Sequence, residues 1–125
     1  MIYITGDTHG EQNRMTYIFS NSGIVWTSDD YLIVCGDFGY IFRGKDYEIS
    51  FLNDLENLDA TILFIDGNHE NFDLLYSYPV ETWNSGKIHR IRKNVIHLMR
   101  GQVFSIDGYT FFTMGGGYSL DKYIR

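Results

Sequence analysis

Three short stretches concentrate the side chains that can hold cations and move protons: Gly6-Asp7-Thr8-His9-Gly10, Gly36-Asp37-Phe38-Gly39 and Gly67-Asn68-His69-Glu70. Asp7, His9, Asp37 and Asn68 offer carboxylate, imidazole and amide oxygen. That is a mixed hard and borderline donor set, suited to Mn, Fe, Zn or Co. His69 can in addition transfer a proton near neutral pH. Two divalent ions about 3.5–4 Å apart, bridged by one carboxylate, form a clamp that cleaves phosphoesters. Asp37 comes from the middle stretch and is the natural bridge. The plainer reading makes Asp7 and Asp37 turn residues, His9 a surface group, Asn68 and His69 turn chemistry after a strand, and Glu70 a first-turn helix carboxylate favoured by the dipole.

Each stretch follows an apolar run, at residues 2–5, 31–35 and 61–65, rich in residues that favour buried strands. Open α/β sheets bind ligands at the carboxyl ends of their strands. Between the runs, Met15, Ile18 and Phe19 recur at helical spacing and predict a helix over 11–20. Ile49, Leu52 and Leu55 predict a second over 46–58, with Asp46 as its N-cap. A short helix is expected over 72–76, stopped before Pro79. The motif stretches recur at roughly 30 residues, the length of a βα unit, so right-handed parallel crossovers are expected.

Beyond Pro79 the pattern changes. Residues 87–92, 95–99, 102–106 and 109–114 read as an antiparallel meander, with Asp107-Gly108 as a hairpin turn. The fold class is therefore α/β: a strand–helix–strand–helix–strand parallel sheet passing into a second antiparallel sheet. The length fits one domain, residues 1–125.

A hydrophobic content of 44% makes the chain globular rather than disordered. A formal net charge of −6 argues against a nucleic-acid backbone as partner and suits a site that gathers carboxylates around cations. The aromatic content of 17% fits a core and surface rich in Tyr and Phe; the sharper reading is rings that cover missing or partner surface. Cys35 is the only cysteine and lies in an apolar run, which predicts an inert buried thiol in a reducing compartment. No apolar run is long enough to span a bilayer and no leader precedes the first strand, so no membrane partner and a cytoplasmic location are expected. His89 is expected on a solvent-facing strand surface. His97 should point opposite to Ile96 and Leu98 and serve structure rather than ligation. Lys87, Arg90, Arg92, Lys93 and Arg100 read as a solvated basic face, with a phosphate-attracting rim as the minority reading.

Taken in order, Asp7-Thr8-His9, Gly36-Asp37 and Gly67-Asn68-His69-Glu70 resemble the motifs of the calcineurin-like metallophosphoesterases. The motifs cover the chain to about residue 71; the passage into a second sheet extends the likeness. The resemblance implies a partial four-layer αββα fold and two divalent ions, Mn, Fe, Zn, Ni or Co. Asp7 and His9 would bind the first ion, Asp37 both, and Asn68 the second. A metal-bound hydroxide would attack the phosphorus of a phosphate mono- or diester, and His69 would stabilise the transition state or protonate the leaving oxygen. Glu70 would orient His69 or a neighbour. Protein Ser/Thr phosphatases of this superfamily grip phosphate with an arginine shortly after the bridging aspartate. Arg43 is the candidate here, in a loop of different spacing, beside its reading as a solvated loop residue.

Family members supply later histidines, an isolated one and then a Gly-His-x-His. After His69 this sequence has only His89 and His97. The expectation is a domain incomplete at its C-terminus that keeps the ligands of one ion better than those of the other. The alternative is a non-catalytic metal-binding or interaction module, completed by a second copy or a complementing chain.

Overall fold

The computed structural model describes residues 1–6, 8, 10–36, 38–41, 43–67 and 70–114. The three apolar runs become β1 (Ile2–Thr5), β2 (Tyr31–Cys35) and β3 (Thr61–Ile65), separated by α1 (Gln12–Ser20) and α2 (Asp46–Glu56). A short α3 (Phe72–Leu75) follows, then β4 (Val80–Trp83), β5 (Gly86–Arg92), β6 (Val95–Leu98), β7 (Val103–Ile106) and β8 (Tyr109–Phe112).

The main sheet has six strands in the order β1-β2-β3-β6-β5-β4. β1, β2, β3 and β6 run parallel, and β5 and β4 are antiparallel to their neighbours. Side chains alternate between two buried faces, as they must in a sheet covered on both sides. Leu32, Val34, Ile62, Phe64 and Val95 meet Met15 of α1, Phe51, Leu52 and Leu55 of α2, and Leu75 of α3. Ile33, Leu63, Ile88, Ile96 and Leu98 face the other way, against Phe104 and Ile106 of β7. The β7–β8 hairpin is the second sheet. Burial of each such side chain contributes about 1.5–3 kcal/mol.

The expected fold class stands, but the meander divides differently. Residues 87–92 and 95–98 join the main sheet, and only β7 and β8 form the second. The seam is Ile62–Ile65 against Val95–Leu98, a parallel pairing. It buries both faces of β6, which local alternation does not reveal. β4 was not expected: it is a short edge strand, and its turn into β5 uses Asn84 and Ser85 at φ 47° and 80° without a glycine. The Asp107-Gly108 turn is where it was expected, at φ 50° and 82°, the paired positive values that suit a two-residue hairpin.

α2 starts one residue past its cap, which is Lys45 rather than Asp46; Asp46 lies in the first turn. Its far end closes at Glu56, where Asn94 Nδ2 donates to the Leu55, Leu58 and Ala60 carbonyls. Cys35 ends β2 and is exposed, against the expectation of burial. Partial desolvation still pushes its thiol above the ordinary value. Residues 115–125, with the triple glycine, lie outside the described residues.

Candidate active site at the carboxyl edge of the main sheet

The loops that leave β1, β2 and β3 carry the three motif stretches, and backbone hydrogen bonds join them into one edge. The Thr8 hydroxyl and the Gly10 N–H both donate to the Phe38 carbonyl, at 2.8 and 3.0 Å. The Gly36 N–H donates to the Ile65 carbonyl at 3.0 Å. Gly10 has φ +71°, and a Cβ on it would lie 2.6 Å from the Gly39 carbonyl oxygen. Only glycine lets the first loop lie this close to the second.

Glu70 closes the edge. Its carboxylate accepts from the N–H groups of Phe38 at 3.1 Å, Gly39 at 2.8 Å and Gly67 at 3.1 Å. It is buried, and it precedes the helix; Asn71 is the α3 cap and accepts from the Leu74 N–H at 3.1 Å. The first-turn reading of Glu70 is therefore corrected. The side chain fastens the loop after β2 to the turn after β3, using a carboxylate where three donors converge. Beneath it, Phe38 stacks on Phe64 with ring centroids 4.1 Å apart. Tyr40 lies edge-on to Phe38, and its hydroxyl donates to the Glu11 carbonyl. Burial pushes that phenol up to about 12, so it stays protonated at neutral pH.

A second polar cluster lies beside the third motif. Asp66 and His97 are both fully buried, and His97 Nε2 lies 2.7 Å from Asp66 Oδ1. The other carboxylate oxygen receives Arg100 Nε at 2.6 Å. Burial alone would raise the Asp66 carboxyl, but the bonds and charges of His97 and Arg100 outweigh it and leave the group below its ordinary value. An ionised carboxylate only accepts, so His97 Nε2 carries a hydrogen. His97 Nδ1 meets His89 Nδ1 at 2.9 Å, a contact that needs one hydrogen between the two nitrogens.

His89 is thus buried at 2% exposure rather than solvent-facing. It faces the helix side of the sheet, under Tyr76 at a ring distance of 5.0 Å. His97 does point opposite to Ile96 and Leu98, as alternation predicts, and stacks on Phe64. Both its ring nitrogens are engaged, which leaves neither for a cation.

Asp7, His9, Asp37, Asn68 and His69 lie outside the described residues. Their described neighbours, Thr8, Gly10, Gly36, Phe38, Gly67 and Glu70, make the bonds just given. Among the described residues, no group of three or more His, Cys, Asp or Glu side chains could hold a metal ion. Arg43 is exposed, and its side chain has no partner among the described residues. Its N–H and that of Gly44 are held by the buried Glu48 carboxylate, at 2.9 and 3.0 Å. Asp66, His97 and Arg100 form a cluster that sequence reasoning did not bring together: it read His97 as structural and Arg100 as part of a basic face, and gave Asp66 no role. The available signal was an imidazole placed by alternation on a face that parallel sheets bury, where it must find a partner.

The chain belongs to the calcineurin-like phosphoesterases, whose family model matches residues 1–124. No curated protein and no solved structure matches it. Membership brings with it metal-dependent phosphoester hydrolysis as the general chemistry.

Proposed function

We propose that this calcineurin-like phosphoesterase hydrolyses a phosphate mono- or diester at the carboxyl edge of its main sheet, with divalent ions held by Asp7, His9, Asp37 and Asn68. The observation that supports this most is the bonding of the three motif loops through the Phe38 backbone and the Glu70 carboxylate. Two carboxylates, an imidazole and an amide oxygen, carried on loops fastened side by side, suit a pair of divalent cations such as Mn. Such ions, when bound, supply Lewis-acid charge that activates water and neutralises phosphoryl oxygens. Asp7 and His9 would take one ion, Asn68 the other, and Asp37 both.

His69 is the residue we assign to the leaving oxygen, as the proton donor. Glu70 is a positioning residue, fixing the turn that carries Asn68 and His69 against the loop that carries Asp37. The charge balance argues against a nucleic-acid substrate. Among the described residues no helix is long and apolar enough to cross a membrane, and the proposed location is the cytoplasm. The test is calorimetric titration with Mn, together with turnover of aryl phosphate mono- and diesters. Asp37→Asn should lower both metal affinity and turnover. A chain that binds no metal, with identical traces from Asp37→Asn, would sink the proposal.

A second reading, a binding module completed by a second copy of the chain, has one observation in its favour. Ile4, Tyr109 and Phe112 are each about two-thirds exposed. Ile2, Ile4, Tyr109 and Phe111 line an open groove of about 560 Å³ between β1 and β8. Sedimentation velocity separates the readings: a monomer across the micromolar range that binds no hydrophobic dye removes the second.

A further inference from the structure

The geometry points to Arg100, and not Arg43, as the residue that grips the phosphoryl oxygens of the substrate. This rests on the phosphoesterase reading above and adds a binding group to that site.

Position comes first. β6 lies beside β3 in parallel register, with Leu98 opposite Ile65. Two residues beyond Leu98, Arg100 therefore leaves the sheet at the same edge as Asp66 and Gly67. Orientation comes second. Arg100 Nε is fixed on Asp66 Oδ2 at 2.6 Å, and the guanidinium carbon lies 5.4 Å from the centre of the Phe72 ring. A bond at Nε and a ring face leave the plane of the guanidinium little freedom.

Availability is the third point. The side chain is 43% exposed although its carboxylate partner is fully buried. Among the described residues, no partner engages Nη1 or Nη2. These two nitrogens form the edge of a planar fork, the geometry that matches two oxygens of a phosphate.

A purely structural ion pair is the competing account, in which Arg100 only neutralises Asp66. Asp66, however, already has a second donor in the fully buried His97. A charge needed for neutralisation alone gains nothing from a side chain that stays 43% exposed. The other described arginines differ. Arg90 and Arg92 are occupied by Glu81, Lys93, Asn53 and Ile91. Arg14 is paired with Glu11. Arg43 is exposed, and among the described residues its side chain has no bond to set its direction.

The experiment measures inorganic phosphate binding to the Mn-loaded chain, by calorimetry, alongside Mn binding itself. Arg100→Gln should weaken phosphate by about tenfold or more, the size of a charge-assisted hydrogen bond, while Mn affinity stays within about twofold. With a phosphomonoester the same loss should appear in KM more than in kcat. Arg100→Lys keeps a cation for Asp66 but loses the fork, and should also bind phosphate less well. It carries the test if Arg100→Gln does not fold. Unchanged phosphate affinity in a folded, Mn-binding Arg100→Lys or Arg100→Gln overturns the role of Arg100 and leaves the phosphoesterase reading standing. A wild-type chain that binds no Mn overturns both.

Discussion

At the scale of single residues, Glu70 and His89 make the sharpest predictions. Glu70→Gln replaces one acceptor oxygen with an NH2 that faces backbone N–H groups. We expect a loss of about 2–3 kcal/mol in urea denaturation, since a buried donor without an acceptor costs about that much. Mn affinity should fall with it, because the loops that carry Asp37 and Asn68 lose their tie. A Glu70→Gln chain of unchanged stability would show that the three bonds contribute nothing. His89 is depressed below its ordinary value, first by burial and then by the neighbouring His97, with Asp66 opposing. Tyr76, the C-cap of α3, covers it. Its charged form is therefore favoured in the unfolded chain, which binds the extra proton as pH falls. The contribution of neutral His89 to stability is full above its unfolded value near 6.5 and is lost on acidification. Urea midpoints should drop between about pH 7 and pH 5, and His89→Gln should flatten that slope. The donors proposed for metal could be read from the sequence because Asp-x-His, Gly-Asp and Gly-Asn-His-Glu are contiguous. The Asp66–His97–His89 chain was not, because its members meet only through the pairing of β3, β6 and β5.

At the scale of elements, the loops matter more than the helices. Gly10→Ala forces a Cβ into the Gly39 carbonyl at a positive φ. The left-handed conformation alone costs about 1–2 kcal/mol, and the clash adds to it. The loops after β1 and β2 should separate, with Mn affinity falling more than thermal stability. Calorimetry and a melting curve on the same sample check this, and equal Mn affinity in the variant would count against the close approach. Helix and strand runs in the first half were legible from period and apolar content, with ends shifted by a residue or two. α2 ended early because Asn94, distant in sequence, takes up the Leu55, Leu58 and Ala60 carbonyls. β4 escaped notice because Val80-Glu81-Thr82-Trp83 is short, mostly exposed and polar at its centre.

At the scale of the whole molecule, the α/β class and the parallel run of β1, β2 and β3 followed from the repeat of strand and motif. The assignment of β5 and β6 to the main sheet did not, since an apolar run bounded by turns fits either sheet equally well. The β3–β6 seam is the only strand pairing, among the described residues, that joins the parallel half to the β4–β5–β6 meander. In kinetic terms this divides the molecule by contact range. β4, β5 and β6 are linked by short turns, whereas the seam pairs Ile62 with Val95 and closes a long loop. Local pairings form ahead of pairings that must first close a loop. We therefore expect the meander to form the nucleus and the parallel half to dock on it. Loss of the β4–β5 turn geometry in Asn84→Ala should slow refolding, whereas Leu32→Ala in β2 should chiefly speed unfolding. Stopped-flow chevrons for the two variants test the order. The opposite pattern would place the nucleus among the strands that carry the three motif loops, so that those loops would be assembled first and the seam last.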